Sequence, residues 1–386
     1  MKPKVAFVYD RVNTAYGGAE RVLLALHQAF PEAPLYTSVY HPRAKWADVF
    51  QIKTSFLQKI PFASRLHRFL VPLMPLAFEA FDLSDYDIII SITSAEAKGI
   101  ITKPNQLHLC YLLTPTRYLY SHRTHYEQTH WPFKIPILKF FSQKIFDYLT
   151  WWDRVAAQRP DVIIPISNLV KQRATAYYQR QIEKPIYPPF DPKELAPPSE
   201  IAQYLPYYLP QEFYLVISRL VPYKRIELAI QACIKLGKNL VIIGTGPQET
   251  ELKKIANQRI HFLGNVSSIQ RQAITVSAQA VLMPGVEDFG ITAIEVFMSG
   301  KPIIMHHKSG AVELIKNQPG VTLLKKLSIE SLISAIKKTD HLKLSNISPQ
   351  KKLTKYAINN FAKRFQTTVF KFYEHTNNRK AAHERS

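Results

Sequence analysis

With 386 residues the chain exceeds what one ordinary hydrophobic core serves, so two domains are expected. Hydrophobic residues make up 46% and charged residues 20%, which excludes a disordered or fibrous chain. A formal charge of +21 implies an anionic partner, but residues 1–188 hold 23 Lys+Arg against 14 Asp+Glu, so no basic arm or tail of the kind that binds nucleic acid stands out.

The N-terminus begins with lysines and a few apolar residues before Asp10, too short for a signal-peptide core. VAFVYD reads as a buried parallel strand, and AERVLLALHQAF follows as a helix with Val22, Leu23, Leu26 and Phe30 at helical spacing. The stretch 53–81 mixes Phe, Leu and Met with Lys53, Lys59, Arg65 and Arg68; it suits either an anionic bilayer surface or a partly buried loop–helix region with a basic face. DIIISI and LHLCYLL read as further buried strands, and VIIPI as another before the helix NLVKQRATAYY. Proline density rises sharply over 189–210, which is read as a linker. Alternation then restarts: strand FYLVIS, helix RIELAIQACIKL, strands NLVIIGTG, RIHFLGN and QAVLMPG, helix AIEVFMSG and strand KPIIMH. The expected domains are therefore 1–188 and 211–345, with an amphipathic helix in 346–386 packing back on the first domain and ending in a frayed tail. Cys110 and Cys233 sit in apolar contexts as reduced thiols, which favours the cytoplasm.

The segment EDFGITAIE places Glu287 and Glu295 eight residues apart around a Phe-Gly turn that opens a helix. Amides at Phe289, Gly290 and Ile291 then suit phosphate oxygens at a helix N-terminus, with the two carboxylates free to accept sugar and ribose hydroxyls. An ordinary acidic cap followed by a solvated helix glutamate fits the same letters. SRLVPYKR supplies Arg219, Lys224 and Arg225 after a strand of the same domain, counter-charges for a diphosphate or plain surface cations. Gly17 and Gly18 open the first helix, and Gly246 lies in a turn after a strand; each suits close approach of a ligand or a tight turn. His122, His125 and His130 fit no zinc spacing, so no metal is expected.

Together GGAERVLLAL, the stretch from TSFLQKIPF to ITSAEAKG, CYLLTPTRYLY, PISNLV, SRLVPYKR, IIGTGP, FLGNV and EDFGITAIEVFMSGKPII resemble the GT-B glycosyltransferases of family 4. That group is retaining and metal-independent and includes bacterial mannosyltransferases of surface-polysaccharide assembly. The resemblance implies an α/β chain of two Rossmann-like, doubly wound parallel-sheet domains facing across a cleft. It implies transfer of a hexose, mannose first, from a nucleotide sugar (GDP-mannose or a UDP-sugar) to a glycan or lipid-linked glycan acceptor, without a cofactor. The enzyme would be peripheral at the inner face of the cytoplasmic membrane.

By the same resemblance Arg219 and Lys224 neutralise the donor diphosphate, Glu287 contacts the transferred sugar and Glu295 the ribose. The amides at Phe289–Ile291 cradle phosphate, Gly17 and Gly18 face the donor, and Gly246, Asn265 and Val266 lie near the nucleoside. Arg117, Tyr118 and Arg123 fall on the acceptor side. Related sequences carry a histidine where Leu113 stands and a Ser-His-Ala pattern at Ser94-Ala95-Glu96, so Glu96 takes over part of the lost polar role. That departure keeps a second reading open, an inactive scaffold that binds sugar nucleotide or glycan; a sugar-nucleotide epimerase of similar fold lacks matching catalysts here.

Overall fold

A computed structural model describes residues 3–13, 16–67, 69–129, 136–190, 197–341, 353 and 356–383. The chain divides into two units, one of residues 1–188 with 358–386 and one of 189–357.

In the N-terminal unit the strands are β1 (Val5–Tyr9), β2 (Leu35–Thr37), β3 (Ile52–Thr54), β4 (Ile88–Thr93), β5 (Leu107–Leu112) and β6 (Val162–Pro165). The helices are α1 (Gly18–Ala29), α2 (Ala63–Leu66), α3 (Met74–Glu79), α4 (Arg123–Thr129), α5 (Pro136–Ala156) and α6 (Asn168–Tyr178), and α14 (Ile358–His383) returns from the far end of the chain. The sheet order is β3-β2-β1-β4-β5-β6, all parallel. β4 and β5 are buried at every residue, as strands covered on both faces must be. Helix α14 closes this unit: Phe361, Phe365 and Val369 are buried, the Tyr111 ring meets Phe361 and Phe365, and Phe370 meets Phe30.

The stretch 53–81 starts as the edge strand β3, where Lys53 Nζ reaches the Tyr36 and Tyr86 hydroxyls at 3.0 and 3.1 Å. It continues through short helices that bury Leu57, Ala63, Met74, Ala77 and Phe78 in the core, while Phe62, Leu66, Phe69, Leu73 and Leu76 face outward. Arg68 lies outside the described residues.

The C-terminal unit contains α7 (Pro198–Ile201), β7 (Tyr214–Ile217), α8 (Ile226–Leu236), β8 (Leu240–Ile243), α9 (Glu249–Lys254) and β9 (Ile260–Gly264), then α10 (Ser268–Ser277) and β10 (Val281–Met283). The series ends with α11 (Ile291–Met298), β11 (Ile303–His306), α12 (Val312–Ile315), β12 (Val321–Leu324) and α13 (Ile329–Asp340). Its order, β12-β11-β10-β7-β8-β9, repeats the pattern of the first sheet. The proline-rich segment groups with this unit: Ile201 on α7 is fully buried, and α7 packs on α10.

In each sheet the order reverses once, between β1 and β4 and between β7 and β10. Helices leave in opposite directions there, so a crevice opens beyond the strand carboxyl ends and backbone groups are exposed to a ligand.

Candidate active site

At the reversal in the C-terminal unit, loops 218–225 and 284–290 meet in a recess lined by Ser218, Lys224, Met283, Gly285 and Glu287. Glycine makes the meeting possible. A Cβ on Gly285 would come 2.6 Å from the Lys224 Cα, so any other residue forces these loops apart; one on Gly246, in the turn after β8, would fall 2.7 Å from the Leu220 amide nitrogen and push that turn off loop 218–225. Loop 284–290 is fixed from behind: the Glu287 amide donates to Ser309 Oγ at 3.0 Å, and the Gly310 and Ala311 amides donate to the Glu287 and Phe289 carbonyls at 3.0 and 2.7 Å.

Lys224 Nζ donates to Glu287 Oε1, both side chains only 15% exposed, and the Tyr223 ring lies 5.3 Å from the ammonium. The pair puts one cation and one acid at the mouth of the crevice. Arg219 lies on the exposed side of the same loop, where its Nη2 donates to the Tyr223 hydroxyl at 2.9 Å rather than to Glu287. Arg225 takes the left-handed φ of 55° that turns the chain into α8, and its Nε bonds Glu227 at 2.5 Å.

Helix α11 starts at Ile291 behind Gly290, whose φ of +93° turns the chain, and no side chain caps it. The start of α11 therefore carries the positive end of the helix, and of its first-turn amides that of Ala293 donates to the Gly290 carbonyl at 3.0 Å. The Phe289 side chain is buried, so only its backbone is on offer. Glu295, one turn in, accepts from Arg271 Nη1 of α10 at 2.9 Å. Asn265 is exposed and Val266 half-buried just before the capping box of Ser267 and Gln270 that opens α10. Burial and the neighbouring His307 and Lys308 hold His306, at the end of β11, down at about 4.

The reversal in the N-terminal unit carries a second polar cluster. Asp10 follows β1 and accepts four bonds: Thr93 Oγ1 at 2.6 Å, the Ser94 amide and hydroxyl at 2.7 and 3.2 Å, and the Ala97 amide at 2.9 Å. That bends the chain after β4 so that Glu96 meets Arg11 at 3.1 Å and the Tyr118 hydroxyl at 2.5 Å. Burial pushes the Glu96 carboxyl up from the usual range, against the pull of the Arg11 guanidinium. Below it the fully buried Lys98 bonds Asp153 and the Ala95 carbonyl, both at 2.5 Å, while Thr116 and Tyr120 donate to the same carboxylate at 2.7 and 3.0 Å.

Gly17 is the extended N-cap of α1; Gly17 and Gly18 are exposed after β1, and the Glu20 carboxylate behind them accepts from Tyr9 at 3.0 Å. Leu113 sits half-buried with its amide on the Thr93 carbonyl at 2.8 Å. Arg117 is half-buried beside Tyr118. The Arg123 guanidinium bridges Glu127 at 2.8 Å and Asp147 at 2.7 Å, tying α4 to α5. His130 lies outside the described residues, and among those described no group of three His, Cys, Asp or Glu can hold a metal.

Sequence reasoning thus named Lys224, Glu287 and Glu295 but missed Arg271, Tyr223 and Ser309, and in the first unit Asp10, Arg11, Lys98 and Asp153. Tyr223 stands inside SRLVPYKR and Asp10 and Arg11 directly follow the first strand, whereas Arg271, Ser309, Lys98 and Asp153 come from segments remote in sequence from their partners and carry no local signal.

Residues 200–360 match the family model of glycosyl transferases group 1. The chain is 31% identical over 118 residues to an uncharacterised glycosyltransferase of Methanocaldococcus jannaschii, 28% of this chain and 30% of that protein. It is 25% identical over 177 residues to the D-rhamnosyltransferase WbpZ of Pseudomonas aeruginosa, 44% of each. It therefore spans less than half the length of the curated relatives it matches. Among solved structures, HepE of Anabaena in complex with UDP and glucose superposes with a TM-score of 0.68 at 16% identity, over 95% of this chain and all of that one. The chain has the two-domain α/β GT-B fold, and its residues 200–360 carry the group 1 glycosyltransferase match.

Proposed function

We propose that the protein is a retaining glycosyltransferase that moves a hexose, mannose first, from a nucleotide sugar to a lipid-linked glycan acceptor in surface-polysaccharide or glycolipid synthesis. The observation that carries this reading is the Lys224–Glu287 pair beside the uncapped start of α11, at the strand reversal of the unit with the family match. Leaving-group departure builds negative charge on a diphosphate. A fixed ammonium and first-turn amides oppose that charge more strongly in the transition state than in the ground state. Arg219 swings from Tyr223 onto the same phosphates, Glu287 orients the sugar, and Glu295 takes the ribose with Arg271 behind it. The departing phosphate accepts the acceptor hydroxyl's proton, so neither a protein base nor a metal is required. The acceptor side is assigned to the Glu96–Arg11–Tyr118 cluster. UDP in the Anabaena neighbour supports a nucleotide donor and keeps UDP-sugars beside GDP-mannose.

The test is release of nucleoside diphosphate from a panel of GDP- and UDP-sugars, with and without lipid-linked oligosaccharide. One donor should be turned over, faster with acceptor. A donor that binds but is never consumed would instead establish the inactive scaffold, the reading that Leu113 favours by leaving no hydrogen-bonding group at its position.

A further inference from the structure

The shared sheet order pairs β1 with β7 and β4 with β10, so the loops after β1 and β4 are the counterparts of loops 218–225 and 284–290. Each crevice carries a cation held by a carboxylate, Lys224 on Glu287 in one and Arg11 on Glu96 in the other. Their charge balance differs in sign. The C-terminal loops hold Arg219, Lys224 and Arg225 against Glu287 and Asp288, a cationic excess that suits a diphosphate. The loops after β1 and β4 hold Asp10, Arg11, Glu96 and Lys98, and Lys98 is balanced by Asp153 of α5, so two carboxylates stand against one guanidinium. The start of α1, which no side chain caps, has Glu20 in its first turn. An anion that enters here meets more acid than base.

Arg11 is also short of acceptors. Its side chain is 22% exposed, and only Nη2 has a partner, Glu96 Oε2 at 3.1 Å; among the described residues no other group accepts from the guanidinium. The neighbouring carboxylates are committed. Each Asp10 oxygen already accepts two hydrogen bonds, from Thr93 Oγ1 and the Ala97 amide on one and from the Ser94 amide and hydroxyl on the other. The second Glu96 oxygen is held by the Tyr118 hydroxyl at 2.5 Å. A planar fork of free N–H groups fits neighbouring hydroxyl oxygens, which accept in pairs. A ligand cation has no lone pair to offer the fork, and an anion is opposed by the acid excess, so a neutral polyol is the ligand that answers both conditions.

We propose that Arg11 is the residue that reads the acceptor: its free guanidinium N–H groups donate to adjacent hydroxyl oxygens of a neutral sugar, while Glu96 and Tyr118 hold it in place and the two carboxylates turn acidic sugars away. The proposal deepens the transferase reading, on which it rests for calling this ligand the acceptor.

Calorimetric titration of the full chain with octyl glycosides of glucose, galactose and mannose, each beside its octyl uronide, reads binding without turnover. At least one neutral glycoside should bind, and its uronide should bind about tenfold or more weakly. Arg11→Met should weaken the neutral ligand about tenfold. Arg11→Lys keeps a cation on Glu96, and with it the fold, yet should lose nearly as much because an ammonium lacks the planar fork. Glu96→Gln removes one of the two carboxylates, so the preference for neutral over acidic sugar should fall about tenfold, a change that a purely structural role does not produce. Unchanged melting of each variant shows that the fold is intact. The proposal is overturned if no neutral glycoside binds, if a uronide binds as well as its neutral counterpart, if both Arg11 variants bind like wild type, or if Glu96→Gln leaves the preference where it was. Binding through Arg11 by a chain that consumes no donor would remove the transferase reading and leave this one standing. Turnover with an acceptor KM that neither Arg11 variant moves would do the reverse.

Discussion

Lys224 and Glu287 neutralise one another at 15% exposure, so a diphosphate entering the crevice competes with a carboxylate for one ammonium. A neutral residue in place of Lys224 leaves Glu287 half-buried without its partner and removes the cation that the proposed function sets against the leaving diphosphate. Lys224→Ala should lower kcat by about 10²- to 10³-fold, the loss typical of one preorganised donor. Steady-state kinetics checks this, and kcat within a few-fold of wild type would refute the role. Arg271 meets Glu295 at 2.9 Å, so under the proposed function it acts on the donor through that carboxylate. Arg271→Met should raise donor KM by about tenfold and leave kcat nearly unchanged, since a hydrogen bond to a charged group contributes roughly 1.5–3 kcal/mol. An equal fall in kcat would place Arg271 in the chemistry instead. Lys224, Glu287 and Glu295 were legible because strand, turn and helix spell them out in contiguous letters. Arg271, 24 residues before its carboxylate, and Lys98, 55 before Asp153, were not, because no local pattern marks a partner that only folding supplies.

Elements buried on both faces announced themselves as apolar runs, and β1, β4 to β8 and β10 lie where those runs predict. The missed strands β2, β3 and β12 have three or four residues and occupy the outer positions of their sheets, so no period accumulates; β3, with the sequence IKT, reads as polar loop. Burial inside an element also has a titration consequence. His108 of β5 is fully buried, its ring nitrogen Nε2 lies 2.9 Å from Ser91 Oγ, and Nδ1 has no hydrogen-bond partner. Burial first, then Arg180 and Arg159, holds it down at about 3, against 6.5 for an ordinary histidine. The unfolded chain therefore takes up a proton there that the fold refuses. Stability from this residue is complete above pH 6.5 and drains as pH falls toward 3, at roughly 1.4 kcal/mol per unit. Urea unfolding at pH 7 and 4.5 should show wild type losing roughly 3 kcal/mol more than His108→Gln between the two. Parallel losses in both proteins would show that the proton enters the native fold without cost.

At the scale of the molecule the two units are built differently although their sheets share one order. The C-terminal unit is contiguous, 189–357, and among the described residues its core cluster of β7, β8, β10, α8 and α13 side chains lies within that range. The N-terminal unit borrows α14, which places Phe361, Phe365 and Val369 against Tyr111 and α1, and Gln366 Nε2 donates to the Ala29 carbonyl, the last residue of α1, at 2.6 Å. Each buried Phe removed from such a core costs about 3–5 kcal/mol, and the entire stability of a domain is only about 5–15 kcal/mol. A fragment of residues 189–357 should therefore unfold cooperatively on heating. A fragment of residues 1–188 should lack a cooperative transition until a peptide spanning 358–386 is added, and Phe365→Ala in that peptide should abolish the rescue. Calorimetry of the three samples decides it: a cooperative transition of 1–188 alone, at the temperature it shows within the full chain, would mean that α14 only decorates a core already complete without it.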